Sequence, residues 1–294
     1  MPIVTLTNQK GGCAKTTSAI NLSAGLAMME SNLNPEDPGK ILLVDVDPQV
    51  QATKSLSGGV LSDTAVQDTE RPQLYHLLIN DDPPPTVDTI MRAFIPEIGG
   101  ERLDNLYYIY ASHARTAESQ EILATLDHRD YRLRDALDQV RGMFRWIIID
   151  TPPGLGWLLT NALVAADYVI VPVETSAYGL DGLIQTELTL TRVKKRINRN
   201  LQILGILPTL IGYNSISTQV LETIIHDYGD LVLPPIRHRA DINGANAMGL
   251  DIFSFRMGKT NAEESKNPAV TEYYSFAKEV YRRVQEIEFE RSAE

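Results

Sequence analysis

Lys10-Gly11-Gly12-Cys13-Ala14-Lys15-Thr16-Thr17 places two lysines around a turn of small residues. Before it, Pro2-Ile3-Val4-Thr5-Leu6-Thr7 is a mostly apolar run that reads as a buried strand. After it, Thr17 to Met29 carries apolar residues at helical spacing. A strand, a small-residue turn and a helix leave free backbone N–H groups at the helix N-terminus, where phosphate binds. In such a loop Lys15 reaches the terminal phosphates and the Thr16 hydroxyl ligates magnesium. The whole stretch, Lys10, Gly11, Gly12, Cys13, Ala14, Lys15, Thr16 and Thr17, is therefore the predicted nucleotide-binding loop.

Two later segments have the same character. Ile41-Leu42-Leu43-Val44-Asp45 reads as a second buried strand and runs into Val46-Asp47-Pro48-Gln49. Trp146-Ile147-Ile148-Ile149-Asp150 reads as a third, followed by Thr151-Pro152-Pro153-Gly154-Leu155-Gly156. Carboxylates at the C-terminal ends of parallel strands lie on the edge where α/β sheets bind ligands. Each aspartate alone would serve equally well as a cap or turn residue. All three in order behind a phosphate loop argue for a shared site.

The loop is not a plain Gly-x4-Gly-Lys-Ser/Thr pattern, because Gln9 and Ala14 occupy its two glycine positions. With its extra Lys10 it resembles the deviant Walker box of the ParA/MinD ATPases. Thr7 to Gly12 and Lys15 to Leu22 are most similar to the ParA (Soj) branch. Asp45-Val46-Asp47-Pro48-Gln49 is similar to that family's Asp-x-Asp-Pro-Gln segment. Asp150 to Gly156 resembles its Asp-x-Pro-Pro-Ser-Leu-Gly switch, with Gly154 in place of serine. The resemblance covers about residues 2–60 and 140–290.

The resemblance implies an α/β fold, a doubly wound, mostly parallel sheet flanked by helices, with ATP and Mg2+ as ligands. It implies a homodimer formed with ATP, in which Lys10 crosses to the partner's nucleotide. Lys10, Lys15 and Asp47 would be the catalytic residues, Asp47 positioning or deprotonating the attacking water. Thr16, Asp45 and Asp150 would hold or support the metal. Leu233-Pro234-Pro235-Ile236-Arg237 lies where the family contacts adenine and also DNA, which makes Pro235 and Arg237 nucleotide candidates beside Pro208 and Thr209. Ala14 is read as the start of the helix, where alanine is harmless; a left-handed backbone there would cost roughly 1 kcal/mol.

The family also binds double-stranded DNA without sequence preference and answers to a ParB-like activator. The net charge of −11 opposes DNA binding globally, so a local basic surface must supply it. Arg192, Lys194, Lys195 and Arg196 at the end of a predicted helix are the candidates, although cations there also complement the helix dipole. The implied function is segregation of plasmid or chromosomal DNA, or positioning of another cargo. The alternative is an ATP-switched adaptor that positions a protein scaffold without touching DNA.

Alternating strands and helices over 294 residues predict one domain spanning 1–294, with a variable segment at about 61–104 and no N-terminal DNA-binding domain. Further strands are expected at Leu106–Tyr110 and Gln202–Pro208, and helical spacing runs from Glu118 to Val140. No run approaches the roughly 20 apolar residues of a membrane span, and the terminal helix is too acidic to lie on a membrane. One cysteine, Cys13, excludes an intramolecular disulfide and suggests a reducing compartment; it reads as a small loop-filling residue rather than a redox switch. A cytoplasmic, nucleoid-associated location is expected.

Overall fold

The computed structural model describes residues 1–58, 71–94, 104–256 and 267–293. Much of the predicted variable segment lies outside the described residues. Seven strands form one sheet: β1 (Ile3–Leu6), β2 (Ile41–Asp45), β3 (Ile90–Arg92), β4 (Leu106–Ile109), β5 (Trp146–Asp150), β6 (Tyr168–Glu174) and β7 (Gln202–Thr209). Their spatial order is β3-β4-β2-β5-β1-β6-β7. Every pairing is parallel except that of β3 with β4. The doubly wound, mostly parallel sheet is as expected, and the short antiparallel edge strand β3 is an addition to it.

Period-two alternation explains why helices cover both faces. Val4, Leu6, Ile41, Leu43 and Ile148 join the buried cluster on one face. Their neighbours Ile3, Leu42, Val44, Ile147 and Ile149 join the cluster on the other. Helices α1 (Lys15–Leu33), α2 (Gln51–Leu56), α3 (Leu74–Ile79), α4 (His113–Leu123), α5 (Arg132–Asp138), α6 (Trp157–Ala165), α7 (Gly179–Arg196), α8 (Ser215–Tyr228), α9 (Ala240–Ala247), α10 (Ile252–Arg256) and α11 (Pro268–Ala293) pack on these faces. Leu22 and Leu26 of α1 share the first cluster with Tyr273, Phe276 and Val280 of α11. Leu77, Leu133, Leu137 and Leu158 share the second.

The continuous helical spacing of Glu118–Val140 resolves into two helices, α4 and α5, rather than one. His128 between them takes a left-handed backbone, φ 53, which interrupts the ladder. Both halves still bury Leu123, Leu133 and Leu137, so the apolar spacing was correct while the continuity was not. Among the described residues no helix is long and apolar enough to cross a membrane.

Candidate nucleotide site

Parallel pairing brings the C-terminal ends of β1, β2, β5 and β6 to one edge of the sheet. The loop after β1 curls over that edge and opens α1 at Lys15. Gly12 and Ala14 both have positive φ, 76 and 61. Ala14 is thus the left-handed residue before the helix, not its first turn as the sequence suggested. The loop reverses there: the Cys13 carbonyl accepts a 3.1 Å hydrogen bond from Thr209 Oγ1, and the Ala14 carbonyl accepts from Ser18 N. The strained alternative applies, at a cost of about 1 kcal/mol.

Lys15 is buried, and its Nζ donates to the Lys10 carbonyl at 3.0 Å. Cys13 is also buried; burial pushes its thiol up from the usual range, against the nearby Lys15 charge. A thiol held protonated suits the loop-filling reading and opposes redox reactivity. Lys10 is drawn the other way: its ammonium pairs with Glu174 at the end of β6 and donates to Ser176 Oγ at 2.9 Å. Gln9 anchors the loop to α7, with Nε2 donating to the Gln185 carbonyl and Thr189 Oγ1, both at 2.8 Å.

Asp45 and Asp150 are register partners on adjacent strands, and both are buried. The Asp45 carboxylate accepts from Asp47 N at 3.1 Å and Thr53 N at 2.9 Å. Burial, with the Asp47 charge adding to it, pushes the Asp45 carboxyl up to about 7. Asp150 is raised well above the carboxylate range by burial and then by Asp45 and Asp47, against the Thr16 hydroxyl and Lys15. Neither of its carboxylate oxygens has a hydrogen-bond partner among the described residues. Asp47 is half-buried, and its Oδ1 accepts from Gln49 N at 2.9 Å.

An open cleft of about 390 Å³ collects Gly11, Gly12, Ala14, Lys15, Thr16, Thr17, Asp47, Gln49, Pro153 and Leu210. A narrow pocket of about 30 Å³ continues from Ala14, Thr17 and Leu210 to Thr209, Arg237, Asn243, Asn246 and Tyr273. Of the two candidates in the Leu233–Arg237 segment, Arg237 lines this second cavity and Pro235 does not. The structure adds Glu174, Ser176, Gln49 and Asn246, whose Nδ2 donates to Thr17 Oγ1 at 3.2 Å. Glu174 had a readable signal, since it ends the apolar run Val169–Val173 as Asp45 and Asp150 end theirs.

Arg192, Lys194, Lys195 and Arg196 are all exposed on the last turns of α7, at the far end of the helix from Lys10. Gly182, near the start of that helix, faces Asn8 and Lys10. The helix that carries the basic cluster is thus the one stitched to the phosphate loop.

Fold and site together define a P-loop NTPase with a paired-lysine loop. Residues 1–203 match the AAA domain family AAA_31. The chromosome partitioning protein ParA of Myxococcus xanthus is 38% identical over 223 residues, 76% of this chain and 70% of that protein. The chromosome-partitioning ATPase Soj of Thermus thermophilus is 32% identical over 288 residues, 96% of each chain. Cobyrinic acid a,c-diamide synthase from Mycobacterium smegmatis, solved with an ATP analogue and magnesium, superimposes with a TM-score of 0.72. It is 27% identical, over 97% of this chain and 96% of that one. The chain belongs to the ParA/Soj family of chromosome-partitioning ATPases.

Proposed function

We propose that this chain is an Mg2+-dependent ATP hydrolase that dimerises when ATP is bound, binds double-stranded DNA without sequence preference and thereby partitions DNA or positions a cargo. The observation that carries the reading is the unpartnered, buried Asp150 carboxylate beside Lys15 and Thr16. Two buried carboxylate oxygens that no hydrogen bond of full geometry satisfies among the described residues, with the Thr16 hydroxyl nearby, are costly unless a ligand satisfies them. A hard cation held through carboxylate and hydroxyl oxygens fits this donor set. Asp150 and Thr16 would hold magnesium and Asp45 would support its shell; bound there, the ion would neutralise charge on the phosphate oxygens.

The chain's own groups would do the rest. Lys15 leaves its internal carbonyl partner for the terminal phosphates, and the loop N–H groups cradle them. Asp47 faces the same cleft and orients or deprotonates the attacking water. Lys10 would leave Glu174 and reach the partner's nucleotide. Arg237, at the rim of the narrow second pocket, would lie at the base end, and the exposed α7 cluster would contact DNA phosphates. A ParB-like partner would stimulate hydrolysis and return the chain to monomers.

Titration with a fluorescent ATP analogue, with and without Mg2+, tests the nucleotide reading. Lys15→Ala should abolish binding, and Asp150→Asn should remove the magnesium dependence. Unchanged affinity in both variants would overturn it. The net charge of −11 favours the second reading, an adaptor that dimerises on a protein scaffold and leaves DNA alone. Random duplex titrated with ATP-loaded protein separates the two. Binding that falls steeply with salt supports the DNA reading, and none at low salt supports the adaptor.

A further inference from the structure

The turn that carries Asp47 contains the one β-branched residue at positive φ among the described residues. Val50 has φ 46 and ψ 38, the left-handed region that a β-branched side chain adopts only as an outlier. A glycine would take this backbone without strain, so the turn's geometry alone does not explain a valine. Its packing does. Val50 is 3% exposed and belongs to the buried cluster that includes Val44, Val46 and Leu74.

The same turn is tied together around Asp47. Val50 N donates to the Asp47 carbonyl and Gln49 N to Asp47 Oδ1, both at 2.9 Å. Asp47 N in turn donates to the buried Asp45 carboxylate at 3.1 Å. Asp47 therefore hangs between two buried fixtures, Asp45 on the strand side and Val50 on the helix side. With Gln49 it lines the phosphate cleft, while Val50 points into the core.

We infer that Val50 is a positioning residue for hydrolysis: its core-anchored isopropyl group holds the Asp47–Val50 turn so that Asp47 and Gln49 face the phosphate loop. Strain concentrated beside a reacting group, and sustained by surrounding packing, is how folds fix such geometry. The inference rests on the role proposed above for Asp47.

Single-turnover ATP hydrolysis and equilibrium ATP binding on Val50→Gly, Val50→Ile, Asp47→Ala and the Asp47→Ala/Val50→Gly double variant test it. Val50→Gly frees the turn and should lower the hydrolysis rate by about tenfold or more, since small misplacements of a reacting group are that costly. ATP affinity should stay within about twofold, because only transition-state geometry is lost. Val50→Ile keeps the anchor and should retain most of the rate. The double variant should be no slower than Asp47→Ala. If Val50→Gly fails to fold, Val50→Ala removes most of the anchor and should show the same split. Wild-type hydrolysis by Val50→Gly beside an inactive Asp47→Ala would overturn the positioning role and leave that of Asp47 standing. Lost ATP affinity at an unchanged rate would overturn the positioning role as well. An Asp47→Ala that hydrolyses normally would overturn both.

Discussion

Lys10 and Glu174 form an ion pair within one chain, and Ser176 takes a second hydrogen bond from the same ammonium. The lysine expected to cross a dimer interface is thus held on its own subunit, 164 residues away in sequence from its carboxylate. Dimerisation by the proposed route must break this pair. Both side chains are about a quarter to a third exposed, so solvent screening limits its worth to at most about 1 kcal/mol. A symmetric dimer breaks the pair in both subunits, so Glu174→Gln should tighten the ATP-bound dimer by up to about thirtyfold. Sedimentation across a concentration series in ATP–Mg2+ checks this; a weaker dimer would show that Glu174 helps the crossing instead of opposing it.

Ala14 is a second place where the backbone opposes its residue. Ala14→Gly should relieve the left-handed strain, partly offset by the greater freedom of glycine in the unfolded chain. The net gain is about 0–0.6 kcal/mol. A rise of at most roughly 2 °C in Tm is expected for a chain of this size. A fall in Tm would mean that the alanine methyl contributes packing that outweighs the strain.

Stability should also depend on pH through the two buried aspartates. Asp45 is raised from its ordinary value near 3.8 to about 7, and Asp150 is raised in the same direction. The folded, metal-free protein thus prefers the protonated carboxyls. The Asp45 contribution is fully present below about pH 4 and is lost as pH rises through about 7, at up to about 1.4 kcal/mol per pH unit; Asp150 adds a loss of the same sign. Melting in chelator should show Tm falling over this window. Asp45→Asn should flatten the slope by about one proton, whereas an unchanged slope would place the ionisation elsewhere.

Much of this site was legible in the sequence because its signals are local. The phosphate loop, Asp45 and Asp150 follow from apolar runs that stop at charged residues, and alternation within those runs assigns both faces of the sheet. What escaped depends on contacts between distant segments or on backbone sign. Nothing near Ala14 reveals that the loop turns left-handed beside the Cys13 carbonyl that Thr209 bonds, and nothing near Val50 reveals the core that holds it there. The break at His128 was hidden because both flanking segments keep helical spacing. Glu174 escaped for want of a partner in view, although it ends a strand as the aspartates do. Pro235 and Arg237 came from resemblance to a segment, which fixes a neighbourhood but not which side chains face the cavity.

The α7 cluster gives a salt-dependent prediction. If Lys194 and Lys195 contact phosphates, Lys194→Ala/Lys195→Ala should weaken binding to every duplex alike. The slope of log affinity against log salt should become shallower by roughly 0.9 per lost contact. An unchanged slope would remove these two exposed lysines from the DNA surface.

By the proposed function, ATP should convert this chain from monomer to dimer, and hydrolysis at Asp47 should reverse the change. Size-exclusion chromatography with light scattering, in ADP–Mg2+ and in ATP–Mg2+, on the native chain and Asp47→Ala, tests it most directly. Monomers are expected in ADP for both, with a dimer in ATP that persists in Asp47→Ala. A monomer in every state, with ATP binding confirmed in the same samples, would contradict it.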